Sequence, residues 1–188
     1  MVGGGIWAAH AVILNRRPPG CASNDCWATG ASHRPSEDLA WLLLPAVVAL
    51  AVAVGRLSRE GWHRGGRLIR AGGVLLWVGA GLLAGGMVVN AALPGDSPLW
   101  WLHDTDTLGR LVPVAGAFIG GWGIVRSRCP SSWVGALLVV ASVVAVPFNA
   151  QDDRALLSVP LGLAWVVTGA WWATRPSVRE EGRDGPHS

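Results

Sequence analysis

Long uncharged stretches alternate with short charged connectors along this chain. Five windows contain no Asp, Glu or Arg, and the sequence has no Lys: residues 39–55, 71–95, 111–125, 129–151 and 155–174. A helix that crosses the hydrocarbon core of a bilayer needs roughly 20 apolar residues. The windows are apolar on all sides, whereas a helix on the surface of a soluble protein carries a polar face. The pattern therefore predicts an all-α, polytopic bundle of transmembrane helices.

Five spans are expected, with a short hydrophobic segment before them. The spans are predicted at residues 39–55, 71–93, 108–125, 132–148 and 155–174, which together form one bundle over residues 39–174. The third is extended back to Leu108, and Arg110 is expected to snorkel to the lipid headgroups. Residues 175–188 are predicted to be a disordered tail.

Residues 1–38 are interpreted as the short hydrophobic segment followed by an extracytoplasmic cysteine loop. Residues 1–15 are uncharged, but they are short for a span and contain Gly3-Gly4-Gly5 and His10. A signal-like segment would carry positive charge before its apolar run, and here Arg16 and Arg17 follow it. We therefore favour the remnant of a truncated sixth helix over a signal-like segment.

The connectors alternate in charge, and this alternation predicts the orientation. Residues 56–70 hold five arginines and one acid, whereas residues 94–110 hold three aspartates and one arginine. Arginine-rich connectors stay in the cytoplasm. The C-terminus is therefore expected in the cytoplasm of a bacterium, residues 15–38 outside, and the chain in the plasma membrane.

Composition supports a membrane protein and adds little about chemistry. The chain is 51% hydrophobic and 14% charged, against roughly a quarter charged in an ordinary soluble domain. Its net charge of +3 comes from arginines beside the spans, so a nucleic-acid partner is not expected. The absence of Lys and Tyr is typical of a GC-rich genome, such as that of an actinobacterium.

Cys21 and Cys26 lie in the loop that is expected to be extracytoplasmic. Two thiols five residues apart on an oxidising face can form a structural disulfide, which is the favoured interpretation. A redox-active pair is the alternative, although its usual spacing is C-x-x-C. Cys129 follows a cytoplasmic arginine and is expected to be a reduced thiol.

One polar cluster has the side chains of a metal site. His103, Asp104 and Asp106 lie close together in sequence, and Asp152 and Asp153 are predicted on the same side of the membrane. Imidazole and carboxylate groups could hold a divalent ion. Solvated loop residues that help to fix the topology explain the same pattern, and we favour this explanation, so no metal, cofactor or catalytic residue is assigned.

Glycine spacing is the stronger signal for helix packing. Gly81 and Gly85, and likewise Gly116 and Gly120, lie one turn apart on one helix face, where backbones can approach closely. Packing inside one chain is favoured over self-association. Trp77 and Trp165 lie deep in their windows and are expected between helices.

Three functions remain open from these residues. Ionisable groups are absent from the five windows, which argues against ion-coupled transport. A structural or partner-binding membrane subunit, in contact with lipid and with itself or another membrane protein, is favoured over an enzyme. The alternatives are a small-molecule transporter and an extracytoplasmic thiol–disulfide oxidoreductase.

Residues 147–165 and the Pro-Pro-Gly-Cys segment at 18–21 resemble parts of uncharacterised multi-pass integral membrane proteins of actinobacteria. The resemblance covers about the last two-thirds of the chain and rests on motifs of low specificity. It implies a complete first helix ahead of the cysteine loop, which this chain would have only in part. It implies no activity.

Overall fold

The computed structural model describes residues 1–18, 37–59, 66–92, 105–127, 132–148 and 153–174. These ranges are almost entirely helical and contain no strand. The α-helices are α1 (Val2–Asn15), α2 (Glu37–Arg59), α3 (Gly66–Ala92), α4 (Thr105–Arg126), α5 (Ser132–Ala145) and α6 (Val159–Ala173). A 3₁₀ helix, Asp153–Ser158, leads into α6. The all-α prediction is confirmed for these parts of the chain.

Three of the helical segments are long and apolar enough to cross a membrane. They are Gly66–Val89, Leu108–Arg126 and Asp153–Ala173. Three further apolar helical segments are shorter: Val2–Asn15, Trp41–Gly55 and Ser132–Ala145. The protein therefore carries helices suited to a membrane.

The helices pack in a closed ring. Each α-helix contacts the next one along the chain, and α1 contacts both α2 and α6. The first and last helices of the described ranges thus lie side by side. The 3₁₀ helix also packs against α1, α5 and α6. The N-terminal segment is therefore an integral part of the bundle and closes the ring.

The core of this ring is filled by apolar side chains. All six α-helices contribute fully or almost fully buried residues, among them Trp7, Leu43, Val47, Leu76, Leu83, Ala117, Leu138, Leu161 and Trp165. Helices in lipid gain little from the hydrophobic effect on association, so close packing supplies much of their attraction. The many small residues of this sequence allow that closeness.

Glycines form the contact between α3 and α4. A Cβ atom added at Gly72 would lie 2.6 Å from the carbonyl oxygen of Gly116, and one at Gly116 would lie 2.8 Å from that of Gly72. Two turns further along α3, a Cβ at Gly79 would overlap the ring of Pro113. Gly116 therefore packs within one chain, as the sequence suggested.

Two of the three consecutive glycines of α1 pack against different neighbouring helices. A Cβ at Gly3 would lie 2.8 Å from the carbonyl oxygen of Ala46 in α2. A Cβ at Gly4 would overlap the carbonyl oxygen of Gly162 in α6, whereas one at Gly5 would meet nothing within 4 Å. The glycine run therefore lets α1 fit closely between α2 and α6.

Candidate functional site

Most of the residues proposed from sequence as a site lie outside the described ranges. These are Cys21, Cys26, His103, Asp104 and Asp152, and Cys129 lies outside them as well. Asp106 is in the first turn of α4, and Asp153 is an exposed residue at the start of the 3₁₀ helix. Within the described ranges, no group of three or more His, Cys, Asp or Glu residues could hold a metal ion. The disulfide and the polar cluster remain predictions.

A buried polar pair lies on the inner face of α1. Trp7 and His10 are three residues apart and thus on one side of the helix. His10 is 0% exposed and Trp7 is 3% exposed. Neither ring nitrogen of His10 has a hydrogen-bond partner, and neither does Nε1 of Trp7. Buried polar atoms are nearly always paired, so these three atoms mark an unusual place in the core.

Arg110 lies beside this pair, inside the bundle. It is 8% exposed, and its guanidinium carbon lies 6.0 Å from the centre of the Phe148 ring, at the edge of cation–π distance. The expectation that Arg110 snorkels to the headgroups is therefore wrong. Phe148, which follows α5, instead packs beside the guanidinium within the bundle.

These side chains surround a small cavity, which we call the α1 cavity. Its polar lining is Trp7, His10, Arg110 and Ser158, and the rest of its wall is apolar: Leu43, Leu111, Val114, Ala145 and Phe148. Its volume is about 20 Å³, enough for a single particle the size of a water molecule. Sequence reasoning missed this site, because His10 stands alone in an apolar stretch.

The buried hydroxyl groups of Ser142, Ser158 and Thr168 are satisfied by their own helices. The hydroxyls of Ser142 and Thr168 donate to the carbonyl oxygens of Leu138 and Ala164, each at 2.7 Å. The Ser158 hydroxyl donates to the Ala155 carbonyl oxygen at 3.1 Å. Such bonds back to the preceding turn are usual for Ser and Thr in apolar helices. Trp7 and His10 differ from these hydroxyl side chains, because their ring nitrogens have no hydrogen-bond partner.

A second feature is an outward-facing stripe on α3. Val74, Val78, Gly81, Gly85 and Val88, the open face of α3, are all exposed. Their spacing of four, three, four and three residues keeps them in one line along the helix. A Cβ at Gly81 or Gly85 would meet nothing within 4 Å. The predicted packing of this glycine pair inside one chain is therefore not what the structure shows.

The two deep tryptophans differ in orientation. Trp165 is 6% exposed and packs in the core as expected, whereas Trp77 is 50% exposed beside the open face of α3. The expectation for Trp77 is wrong, because depth along a helix does not determine which side of it faces the bundle. Trp77 therefore adds to the outward apolar surface.

A wider groove lies between α2 and α6 beside the first residues of α1. It measures about 470 Å³, and its lining includes Leu50, Ala53, Trp165 and Trp172. Thr168 also lines it, but its hydroxyl already donates to Ala164. The described side chains of this groove thus offer mainly apolar contact.

Comparisons with protein-family models, with curated proteins and with solved structures found no match. Function has to be inferred from the packing and polarity of this chain itself.

Proposed function

We propose that this protein is a structural or partner-binding subunit of a bacterial plasma membrane, and that it associates through the open face of α3. The supporting observation is the contrast between glycines of one helix. The space beside Gly72 and Gly79 is occupied by α4, whereas Gly81 and Gly85 face outward with open space beside them. A glycine in a helix interior costs about 1 kcal/mol relative to alanine. Two such residues on an outward face are explained if another helix packs there.

The proposed topology has five spans and a cytoplasmic C-terminus. Besides the three long apolar segments, we count α2 and α5 as spans. The 23 residues of α2 make a helix of about 34 Å, which exceeds the hydrocarbon thickness of about 30 Å. The helix α5 has only 14 residues, but it lies in an uncharged window, residues 129–151, that is long enough to cross the hydrocarbon core. The uncharged run that holds α1, residues 1–15, is shorter.

The open face of α3 has the shape that helix pairs in membranes use. Glycines let two backbones approach, and the valines beside them lose little side-chain freedom on contact because β-branched residues are already restricted. A repeat of 3.5 residues suits the shallow crossing of left-handed helix pairs.

The occupant that we propose is α3 of a second copy of this chain. All copies share one orientation in the membrane, so a twofold axis along the membrane normal brings identical stripes together. Such a stripe presents glycines and valines to glycines and valines, and no charged residue lies among its five positions.

The test is the oligomeric state of the full-length protein in liposomes, measured by photobleaching over a range of protein-to-lipid ratios. The wild type is expected to be a dimer. Gly81→Ile and Gly85→Ile are expected to weaken the dimer roughly 10–100-fold, since overpacking a close helix contact costs about 1–3 kcal/mol. The matched control is Ala115→Ile, at an exposed position of α4, which should leave the dimer intact.

The outcomes separate the parts of this proposal. A wild type that is monomeric at every ratio and purifies without a partner would refute the subunit function. A different membrane protein that cross-links to residue 81 would refute self-association and retain a partner-binding subunit.

The two alternative functions receive less support from the described residues. A transporter needs a polar pathway, whereas the α1 cavity measures only about 20 Å³ and the described side chains of the wider groove between α2 and α6 are mainly apolar. The thiol–disulfide oxidoreductase depends on Cys21 and Cys26, which lie outside the described ranges.

A further inference from the structure

We propose that the α1 cavity is a binding site for one halide-sized monovalent anion. The site lies inside the ring, and the open face of α3 takes no part in it. It rests on three properties of the cavity: its donors, the charges that act on it and its size.

The cavity is lined by two side chains that can donate hydrogen bonds, Trp7 and His10. Trp7 Nε1–H can only donate, and a neutral histidine carries one N–H in either tautomer. Both side chains line the cavity, and neither has a hydrogen-bond partner. A particle that accepts two hydrogen bonds would compensate for the desolvation of these groups on folding.

The local charge favours an anion over a neutral acceptor. Arg110 lines the cavity, and the positive charges of Arg110 and Arg17 both act on His10. Interactions between charges are stronger in the protein interior than in water. An anion in the cavity therefore gains attraction that a water molecule would not.

Size narrows the class of anion. A cavity of about 20 Å³ exceeds the roughly 10–15 Å³ that one water molecule requires. A chloride or bromide ion is only slightly larger than a water molecule, whereas phosphate and sulfate have four oxygens around a central atom. A cavity of this volume therefore suits a halide ion better than the larger oxyanions.

The test is equilibrium binding of radioactive chloride to the purified full-length protein in detergent, with gluconate replacing chloride at constant ionic strength. Saturable binding of one chloride per chain is expected. Trp7→Phe removes the N–H and keeps most of the ring, so it should weaken binding at least 10-fold. His10→Leu should weaken it similarly. The control, Trp122→Phe, alters an exposed tryptophan of α4 and should bind as the wild type does.

Two results would overturn the proposal. One is the absence of saturable chloride binding in a folded wild type, which would mean that the cavity holds at most a water molecule. The other is unchanged binding in Trp7→Phe, which would place any bound chloride elsewhere. Trp7→Phe keeps the test decisive if His10→Leu fails to fold. Gly81→Ile should bind chloride normally, so a failed dimer test leaves this proposal standing.

Discussion

Three identical neighbours, Gly3, Gly4 and Gly5, meet three different environments. A helix turns by about 100° per residue, so they point in turn towards α2, towards α6 and away from the ring. In sequence the run weakens the expectation of a helix, because glycine is a poor helix former. In the structure it brings α1 into contact with both neighbours. Propensity is outweighed here by tertiary packing.

A matched pair of alanine substitutions tests this difference. Gly4→Ala should destabilise the protein by about 1–3 kcal/mol, because the new Cβ meets the backbone of Gly162 and neither helix can yield easily. Gly5→Ala should be neutral or stabilising by up to about 1 kcal/mol, since its Cβ meets open space. The free energy of unfolding in mixed detergent micelles measures both. Equal effects would contradict the close contact between α1 and α6.

The residues around the α1 cavity show what the sequence could not predict at this scale. His10 and Arg110 are far apart in the chain and come together only through the ring. The window pattern places Arg110 near a membrane surface, but it says nothing about Phe148, beside which the guanidinium packs. When a helix is apolar on all sides, its sequence does not indicate which side faces the bundle. For this reason the expectation for Trp77 was wrong.

At the scale of elements, the charge-free windows identify the helices well and their ends less well. The helix α3 begins at Gly66, five residues before its window, and includes Arg67 and Arg70. Both arginines are exposed, so they can reach water while the backbone remains helical. The windows show only where charged residues are absent, whereas a helix can continue beyond the hydrocarbon core into regions where charged residues occur.

The seam between α3 and α4 depends on the fit of Pro113 against Gly79. Gly79→Ala should cost about 1–3 kcal/mol, because its Cβ would overlap a rigid ring. In the Pro113→Ala background that ring is gone, and the same substitution should cost at most half as much. A double-mutant cycle on the free energy of unfolding measures this coupling.

The control for this cycle lies two residues along α3, on the other side of the helix. Gly81→Ala places its Cβ in open space and should show no coupling to Pro113→Ala. Additive effects of Gly79→Ala and Pro113→Ala would mean that the ring does not fill the space at Gly79.

For the whole molecule, the predicted orientation is tested by the three cysteines. A membrane-impermeant maleimide applied to intact cells should label Cys21 and Cys26 only after reduction. Cys129 should react only once the cells are permeabilised, because the positive-inside rule places its connector in the cytoplasm. Mass spectrometry of the labelled peptides distinguishes the sites.

The opposite labelling would reverse the topology. If Cys129 reacts on intact cells, Cys21 and Cys26 face a reducing compartment and a structural disulfide is no longer expected. The carboxylates of the His103 cluster would then lie on the cytoplasmic side.

The closed ring has a consequence for how the protein is made. Of the described helices, α1 is synthesised first and α6 last, and the two pack against each other. Such distant contacts form late because the intervening chain must first be in place. Ribosome-stalled chains that end before α6 should therefore leave α1 open to proteolysis, and full-length chains should protect it. Before α6 is made, α1 has only α2 and the 3₁₀ helix beside it among the described segments, so the ring can close only after α6 has been synthesised.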